Sequence, residues 1–249
     1  MKRLLIRADD LGYSDGVNCG IARSVNDGII RTIGVMVNMP EVERGLRMLH
    51  APGLCLGQHT CISAGKPLSD PKRIPSLLGS DGGFKPTRAY YLPGPDTIVL
   101  DEVILEIEAQ YERFCELTGG KPSYLEGHAV FHPVFQQGLE TVANRHGVLY
   151  SGMPEEGNRM RVGSAHVKIA MDSMNNDYVP LESLKRNLLQ AADDTNLIFV
   201  CHPGYLDAYI LAHSQLTTPR PLEVAMLTDP NTAAWLNEQG IQRITYYDL

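Results

Sequence analysis

Four apolar runs in this chain end in side chains that bind metals or transfer protons. The runs are LLIRADD, LCLGQH, SYLEGH and LIFVCH, and they end at Asp9 and Asp10, at His59, at His128 and at His202. Imidazole nitrogens and carboxylate oxygens bind divalent ions such as Zn²⁺ and Fe²⁺, and three protein ligands leave positions for water and substrate. We therefore assign Asp10, His59 and His128 as the ligands of one divalent ion.

Asp9 and His202 are the residues that we predict to transfer protons. Adjacent residues of a strand point to opposite faces, but at a strand end that rule loosens, so Asp10 can hold the ion while Asp9 stays free as a base. Either carboxylate can instead cap the turn at DLGYSDG. His202 precedes Pro203 and Gly204, which break the strand and leave the imidazole on the rim. Because its unperturbed pKa is about 6.5, His202 is a natural general acid, or alternatively a fourth ligand.

The other histidines carry weaker signals. His132 follows His128 by four residues, which on a helix would place both on one face, but Pro133 indicates that the helix begins only afterwards. Taken singly, each histidine at a strand end is equally consistent with an ordinary hydrogen-bonded residue, and their occurrence together beside an aspartate pair favours a site. The rest are interpreted as surface or structural residues: His50, His146, His166 and His213.

Strand-like and helical segments alternate along the chain and would position these residues. We predict strands over 4–8, 33–38, 54–59, 123–127, 148–151, 197–201 and 243–247. Helices are predicted over 17–27, 41–49, 102–117, 133–146, 181–192, 221–227 and 231–239. This alternation, without a GxGxxG or Walker loop, favours an α/β fold with a parallel strand core: a TIM-barrel-like (β/α) barrel, complete or incomplete. We expect a single domain over 1–249.

Two segments show neither helical nor strand periodicity of their apolar residues. Residues 60–96 are rich in Gly, Pro and Ser, and we interpret them as a connection that lies over the site and can act as a lid. Residues 153–180 are weakly patterned, and their elements are not predicted.

Composition narrows the class of protein. The 249 residues suffice for a full core, and the formal charge of −7 without any Lys/Arg run argues against a nucleic-acid partner. No apolar stretch approaches the roughly 20 residues that cross a bilayer, and carboxylates interrupt the N-terminus where a signal peptide would continue. Five cysteines without a CxxC pair fit reduced thiols, so we expect a cytoplasmic protein. The sequence is compatible with a homo-oligomer.

The chain resembles a known family in the order of its motifs. Its opening, RADDLGYSDGVNCGI, is similar to the NADDFG…vN.GI start of the YdjC-like carbohydrate deacetylases, which include chitooligosaccharide deacetylase. The resemblance continues through VNMP, LGQHTCISAGKPL, PSLLGSDGGF, EIEAQYERFCELTGGKPSYLEGH, CHPGY and TTPRPLEVAML. It implies a (β/α) barrel-like fold, one divalent ion (Mg²⁺ or Zn²⁺) held by an Asp and two His, and hydrolysis of the N-acetyl group of an amino sugar or a short N-acetylated oligosaccharide, with release of acetate.

Position by position, the resemblance implies the same roles that the residue types suggested above. Asp10, His59 and His128 match the metal ligands of the family, Asp9 matches its proposed base and His202 its proposed acid.

The chain also departs from the family pattern near the site. Arg7 stands where the family usually has Asn, and Glu126 stands where it has Asp. In the same segment, EGHAVFH replaces D.HHHVH, so that Ala129 and Val130 occupy positions of imidazoles. HTCIS in place of HLTLT puts Cys61 near the cleft. These changes affect the surroundings of the site rather than its ligands.

Three other functions remain open from the sequence. A glycosidase could use Asp9 and Glu126 as paired carboxylates, but it would leave the histidines unexplained. An iron oxygenase shares the ligand set of two histidines and one carboxylate. A sugar-binding protein without catalytic activity would need no ordered metal.

Overall fold

The computed structural model describes residues 2–92, 98–192 and 195–249, in which strands and helices alternate. The strands are β1 Arg3–Leu11, β2 Thr32–Val35, β3 Cys55–Thr60, β4 Tyr124–Gly127, β5 Leu149–Tyr150, β6 Arg159–Val162, β7 Ala165–Ala170, β8 Asn196–Cys201 and β9 Gln242–Arg243. The helices are α1 Asp15–Asn26, α2 Val42–Arg47, α3 Leu100–Thr118, α4 Pro133–His146, α5 Pro180–Gln190, α6 Ala208–His213, α7 Pro219–Thr228 and α8 Pro230–Glu238. No helix in the described ranges is long and apolar enough to span a membrane.

The strands form one sheet that curls into a nearly closed barrel. Their order is β5-β4-β3-β2-β1-β8-β7-β6, with β9 pairing to β1, and every pair is parallel except β6 with β7. At the two ends of this order, Leu149 of β5 packs in the same apolar cluster as Met160 and Val162 of β6. Among the described strands no ladder joins β5 to β6. The prediction of an α/β barrel with a parallel core is confirmed, in its incomplete form.

Alternation along β1 separates the interior of the barrel from its outer face. Leu5 packs inside the barrel with Tyr124, whereas Leu4 packs outside in the cluster that contains residues of α1 and α5. Because successive strand side chains point to opposite faces, Arg7 and Asp9 follow Leu5 into the interior.

The segment 153–180 contains a hairpin made of β6 and β7. Val162 pairs with Ala165, and the turn between them begins at Gly163, whose φ is 58°. Tight hairpin turns need such a positive φ. The glycine and the alternation of arginine with apolar residues along β6 are the local sequence signals for this hairpin.

Two further elements differ from prediction. Helix α6 has no counterpart among the predicted elements. In the predicted strand 243–247 only Arg243 pairs with β1, because Tyr246–Asp248 forms a 3₁₀ turn in which the side chains of Thr245 and Asp248 cap each other's backbone.

The connection after β3 is fastened to α3. Three polar side chains recur every four residues along one face of this helix, and Glu106 among them is fully buried. They bind backbone groups of the connection at three places: Glu102 the N–H of Ser76, Glu106 those of Leu68 and Ser69, and Gln110 both backbone groups of Cys61. The described part of the predicted 60–96 connection is therefore a fixed wall, while residues 93–97 lie outside the described part of the chain.

Candidate active site

Strand β1 delivers both aspartates to the barrel interior. Asp9 points inward by alternation, whereas Asp10 has a φ of 81° at the place where the β1–β2 register shifts between Ala8 and Leu11. A left-handed conformation costs about 1–3 kcal/mol at a residue other than glycine. It turns the Asp10 carboxylate to the same side as that of Asp9, and both residues are buried. At this strand end, adjacent side chains therefore point to the same side, as predicted from the sequence.

Asp10, His59 and His128 bring three ligand atoms together. Asp10 Oδ1 lies 3.1 Å from His59 Nε2 and 3.0 Å from His128 Nδ1, and these two nitrogens lie 3.0 Å apart. Ligand atoms bonded at about 2.0–2.1 Å to one tetrahedral ion are separated by roughly 3.3 Å. The triangle is therefore close to the size that a single small divalent ion requires, and among the described residues it is one of two groups with this capacity.

The hydrogen bonds of His59 also fit a cation. Its Nδ1 is paired with the Glu126 carboxylate, so Nδ1 carries a proton and Nε2 turns toward the Asp10 oxygen. Burial by itself lowers the pKa of His59, but the charges of Glu126 and Asp9 and the hydrogen bonds to Asp10 and Glu126 raise it well above its ordinary value. A metal ion bound at Nε2 would require this nitrogen to be unprotonated, so it would compete with a proton there.

Arg220 holds the other side of Asp10. Its Nη2 donates to Asp10 Oδ2 at 2.7 Å, Nε donates to the carbonyl of Leu216 at 2.9 Å, and Nη1 donates to that of His202 at 3.3 Å. Burial raises the pKa of Asp10, but Arg220 and then His128 outweigh it and hold that pKa well below its usual range. Arg220 is not among the site residues predicted from the sequence. A basic residue between two prolines, in an otherwise apolar helix start, is its only local signal.

Arg7 joins the two carboxylates on the inner side of His59. Its guanidinium binds Asp9 in a bidentate manner: Nε donates to Oδ1 and Nη2 donates to Oδ2, at 2.8 Å each. Nη2 also lies 3.4 Å from Glu126 Oε2. Its Nη1 donates to Tyr246 Oη at 3.0 Å. Asp9, His59 and Glu126 form the second group of ligand-type atoms. Because Arg7 and His59 already engage both carboxylates, this group stabilises the site rather than offering a free metal position.

Gly34 of β2 provides the room for these side chains. A Cβ at this position would lie 2.9 Å from Asp9 Oδ1, 3.2 Å from His59 Cβ and 3.4 Å from Glu126 Oε1. Any larger residue would push the carboxylates away from the strand, so the close packing of Asp9, His59 and Glu126 depends on this glycine.

His202 lies at the end of β8, outside the group of ligand atoms. Its Nδ1 is 3.2 Å from Ser173 Oγ, and its backbone N–H donates to Glu223 Oε2 at 2.5 Å. Burial, with a smaller contribution from Arg220, lowers the pKa of His202 to about 4, although Asp10 and Asp9 oppose the shift. A pKa in this range leaves His202 neutral at pH 7, and its role as the general acid stays a prediction.

The remaining candidates lie apart from the chemistry. His132 is the N-cap of α4, where its Nδ1 accepts from the N–H of Val134 at 3.2 Å. Burial raises the pKa of the Cys61 and Cys201 thiols, so both are inert core groups rather than nucleophiles.

A cavity of about 1070 Å³ opens over the ligand triangle. Its floor contains the predicted site residues Asp9, Asp10, His59, His128 and His202. Their convergence at the carboxyl ends of the strands brings a metal-capable triangle, a buried carboxylate and a neutral imidazole into one space. This arrangement is suited to hydrolysis with acid and base catalysis.

Known proteins similar in sequence cover the whole chain. Residues 3–238 match the family model described as YdjC-like protein. Carbohydrate deacetylase 2 of Listeria innocua is 30% identical over 255 residues, which cover 99% of this chain and 98% of that protein. Chitooligosaccharide deacetylase of Escherichia fergusonii is 28% identical over 100% of both chains.

Solved structures share the fold. A protein of Enterococcus faecalis for which cellobiose-phosphate cleavage has been suggested superimposes with a TM-score of 0.82 at 21% identity, over 99% of this chain and 98% of that one. A family 4 acetyl xylan esterase from Clostridium thermocellum, solved with a cobalt ion, gives a TM-score of 0.52 at 12% identity, over 99% and 89%.

Proposed function

This chain belongs to the YdjC-like protein family, and from that premise we propose that it is a metal-dependent hydrolase, folded as one domain over 1–249, that removes an N-acetyl group from an amino sugar or a short N-acetylated oligosaccharide. The observation that carries the proposal is the triangle of Asp10, His59 and His128 beneath a cavity of about 1070 Å³. Relatives over the whole chain that are named carbohydrate deacetylases support the choice of reaction and of sugar substrate.

We assign one divalent ion to Asp10, His59 and His128. Two imidazole nitrogens with one carboxylate oxygen suit Zn²⁺ better than Mg²⁺, which prefers oxygen ligands throughout. Such an ion supplies Lewis-acid activation of the acetyl carbonyl and of the attacking water.

Asp9 is the proposed base. Arg7 occupies one acceptor position on each Asp9 oxygen, and a carboxylate oxygen has a second one with which it can accept a proton from water. The guanidinium thereby fixes the direction of the carboxylate without blocking it. Water then adds to the carbonyl carbon of the acetamide.

His202 is the proposed acid for the departing amine. It is neutral at rest, since burial lowers its pKa to about 4. The proton that it donates is therefore the one that Asp9 takes from the attacking water and that passes to His202 within the cavity. Ser173 engages Nδ1, which leaves Nε2 for this exchange. When the C–N bond breaks, the nitrogen takes that proton, and the products are acetate and the free amino sugar.

The same contacts argue against a glycosidase. Such an enzyme needs one carboxylic acid that stays protonated at neutral pH. Burial raises the pKa of Glu126, but Arg7 and then His59 outweigh it and lower that pKa below its ordinary value. Glu126 is therefore a carboxylate that orients His59, not a proton donor.

Acetate release from a panel of N-acetylated mono- and disaccharides tests the proposal. The protein is stripped with a chelator and reloaded separately with Zn²⁺, Mg²⁺ and Fe²⁺, in air and without oxygen. We expect equal amounts of acetate and free amine, dependence on the added ion and no dependence on oxygen. Sugar release without acetate would indicate a glycosidase, oxygen consumption an oxygenase, and inactivity with every ion a binding protein.

A further inference from the structure

Tyr13 brings a phenol ring to the edge of the ligand triangle. Its ring lies 5.6 Å from that of His128. The guanidinium of Arg220, which holds Asp10, lies 5.9 Å from the centre of the same phenol ring. Tyr13 also lines the cavity of about 1070 Å³. The phenol therefore stands beside the side of the triangle that Asp10 and His128 form.

The backbone and the neighbouring side chains hold this ring in place. The N–H of Tyr13 donates to the carbonyl of Asp10 at 3.0 Å, which closes the turn after β1, and Gly12 within that turn has a φ of 102°. Tyr209 of α6 meets the Tyr13 ring edge to face at 5.6 Å. The whole residue is 6% exposed. Because the ring is packed on several sides, the direction of its hydroxyl is set before any substrate binds.

The Tyr13 hydroxyl has no hydrogen-bond partner within the described ranges, yet it is not one of the polar atoms sealed from solvent. Other polar groups of the cavity wall are already engaged. Ser151 Oγ pairs with Tyr246 Oη at 2.7 Å, and Gln136 Oε1 accepts from Tyr150 Oη at 2.9 Å. A phenol has an ordinary pKa of about 10, so it is a neutral donor at pH 7. The cavity thus contains a fixed hydroxyl that is free to donate.

Tyr13 and Asp9 lie beside different ligands of the triangle. Asp9 lies beside His59, since a Cβ at Gly34 would be 2.9 Å from Asp9 Oδ1 and 3.2 Å from His59 Cβ. Tyr13 lies beside His128. A water molecule that Asp9 deprotonates and an acyl oxygen that accepts from Tyr13 can therefore occupy the site together. When the water oxygen bonds to the carbonyl carbon, the π electrons move to the acyl oxygen, and a charged oxygen accepts a hydrogen bond more strongly than a neutral one.

We propose that the Tyr13 hydroxyl donates a hydrogen bond to the acyl oxygen of the substrate and stabilises the negative charge that this oxygen acquires when water adds. Tyr13 is then a further catalytic residue, and this role rests on the proposed deacetylase function. The phenol keeps its own proton throughout. The proton lost by the water passes through Asp9 and His202 to the departing nitrogen, and the electrons on the acyl oxygen re-form the carbonyl as the C–N bond breaks.

Tyr13→Phe removes the hydroxyl and keeps the ring contacts, so the urea midpoint should not change. On the β-1,4-linked disaccharide of N-acetylglucosamine, kcat should fall about 10²-fold, the lower end of the range for the loss of one oxyanion donor. The N-trifluoroacetyl analogue should lose less, because its fluorine atoms withdraw charge from the acyl oxygen and weaken it as an acceptor. Tyr205→Phe is the matched control and should leave kcat unchanged, since this exposed tyrosine does not line the cavity.

Calorimetry on the Zn²⁺-loaded protein tests the hydroxyl without the reaction. The probe is the methylphosphonamidate analogue of the disaccharide, in which a tetrahedral anionic group replaces the acetyl carbonyl. Tyr13→Phe should weaken binding of this probe about tenfold or more, the value of one hydrogen bond to a charged group. The affinity for the acetylated disaccharide, measured in an Asp9→Asn background, should not change.

The outcomes separate this role from the proposed function. If the wild-type protein releases acetate but Tyr13→Phe equals it in kcat and in affinity for the probe, the role of Tyr13 is overturned and the proposed function stands. A higher KM with unchanged kcat, or equal losses on the acetyl and trifluoroacetyl substrates, would also overturn it. If no acetate is released from either substrate but Tyr13→Phe weakens binding of the probe, the proposed function fails and the contact of Tyr13 with the tetrahedral group stands.

Discussion

Replacing Arg7 by methionine should destabilise the protein strongly at neutral pH. Arg7 is 3% exposed and donates to both oxygens of Asp9, to Tyr246 and, at longer range, to Glu126. Methionine keeps much of the volume but removes the guanidinium from buried Asp9 and leaves buried Glu126 with His59 alone. Breaking a buried ion pair from one side costs about 3–5 kcal/mol, because the remaining charge is both desolvated and unpaired.

The loss of stability caused by Arg7→Met should shrink as the pH falls, and the direction of this change follows from the pKa of Glu126. In the wild-type protein the folded-state pKa of Glu126 is lowered, so its contribution to stability is present above the unfolded-state pKa and is lost as the pH falls through the folded-state value. Without Arg7 the burial of Glu126, which raises its pKa, is no longer outweighed to the same extent. Glu126 of the folded variant is then protonated at a higher pH than Glu126 of the folded wild-type protein, so the difference in stability between the two proteins narrows in acid.

Urea unfolding of the wild-type protein and the variant, at pH 7 and at a series of lower pH values, measures this gap. Arg7→Lys keeps the charge but not the bidentate contact, so its free energy of unfolding should lie between those of the wild-type protein and Arg7→Met. Arg23→Met is the matched control, since Arg23 forms an exposed ion pair with Asp27 and its loss should cost about 0.5 kcal/mol or less. A difference below about 1 kcal/mol between Arg7→Met and the wild-type protein at pH 7, or a gap that does not narrow in acid, would refute the reasoning.

Other substitutions should separate the remaining roles. His128→Ala should lose the ion and the activity while the core stays intact. His132→Ala removes a helix cap, so it should lower the free energy of unfolding by about 1 kcal/mol and keep the ion. Metal analysis of both variants checks this, and metal loss from His132→Ala would show that a ligand was misassigned. Asp9→Asn should retain the ion while kcat falls by roughly 10² to 10⁴, and equal loss of the ion would make Asp9 a ligand. His202→Ala should impair hydrolysis of an N-acetyl group more than that of an activated aryl acetate, because a phenolate leaves without a proton; equal losses would favour a role in binding alone. Glu106→Ala should remove the buried carboxylate that accepts from the backbone N–H groups of Leu68 and Ser69 and lower the free energy of unfolding by about 1–3 kcal/mol, which an unchanged urea midpoint would contradict.

Local sequence patterns were sufficient to locate the strand ends and the chemistry that they carry. Apolar runs that stop at Asp9, His59, His128 and His202 identify the carboxyl ends of buried strands, and parallel strands bring those ends to one edge of a sheet. This inference needs only the local pattern of each run and one rule of topology. It therefore predicted which side chains would meet over the barrel, and the helix at 133–146 with its start at Pro133.

The orientation and the charge of these side chains depend on contacts between distant parts of the chain. The positive φ of Asp10 arises where the register of two strands shifts, and its partner Arg220 lies 210 residues away along the chain. Arg7 and Glu126 are likewise 119 residues apart. The pKa of His202 depends on burial by several elements, which no local pattern records. Orientation, desolvation and charge pairing are sums over neighbours in space, and those neighbours exist only after the barrel has formed.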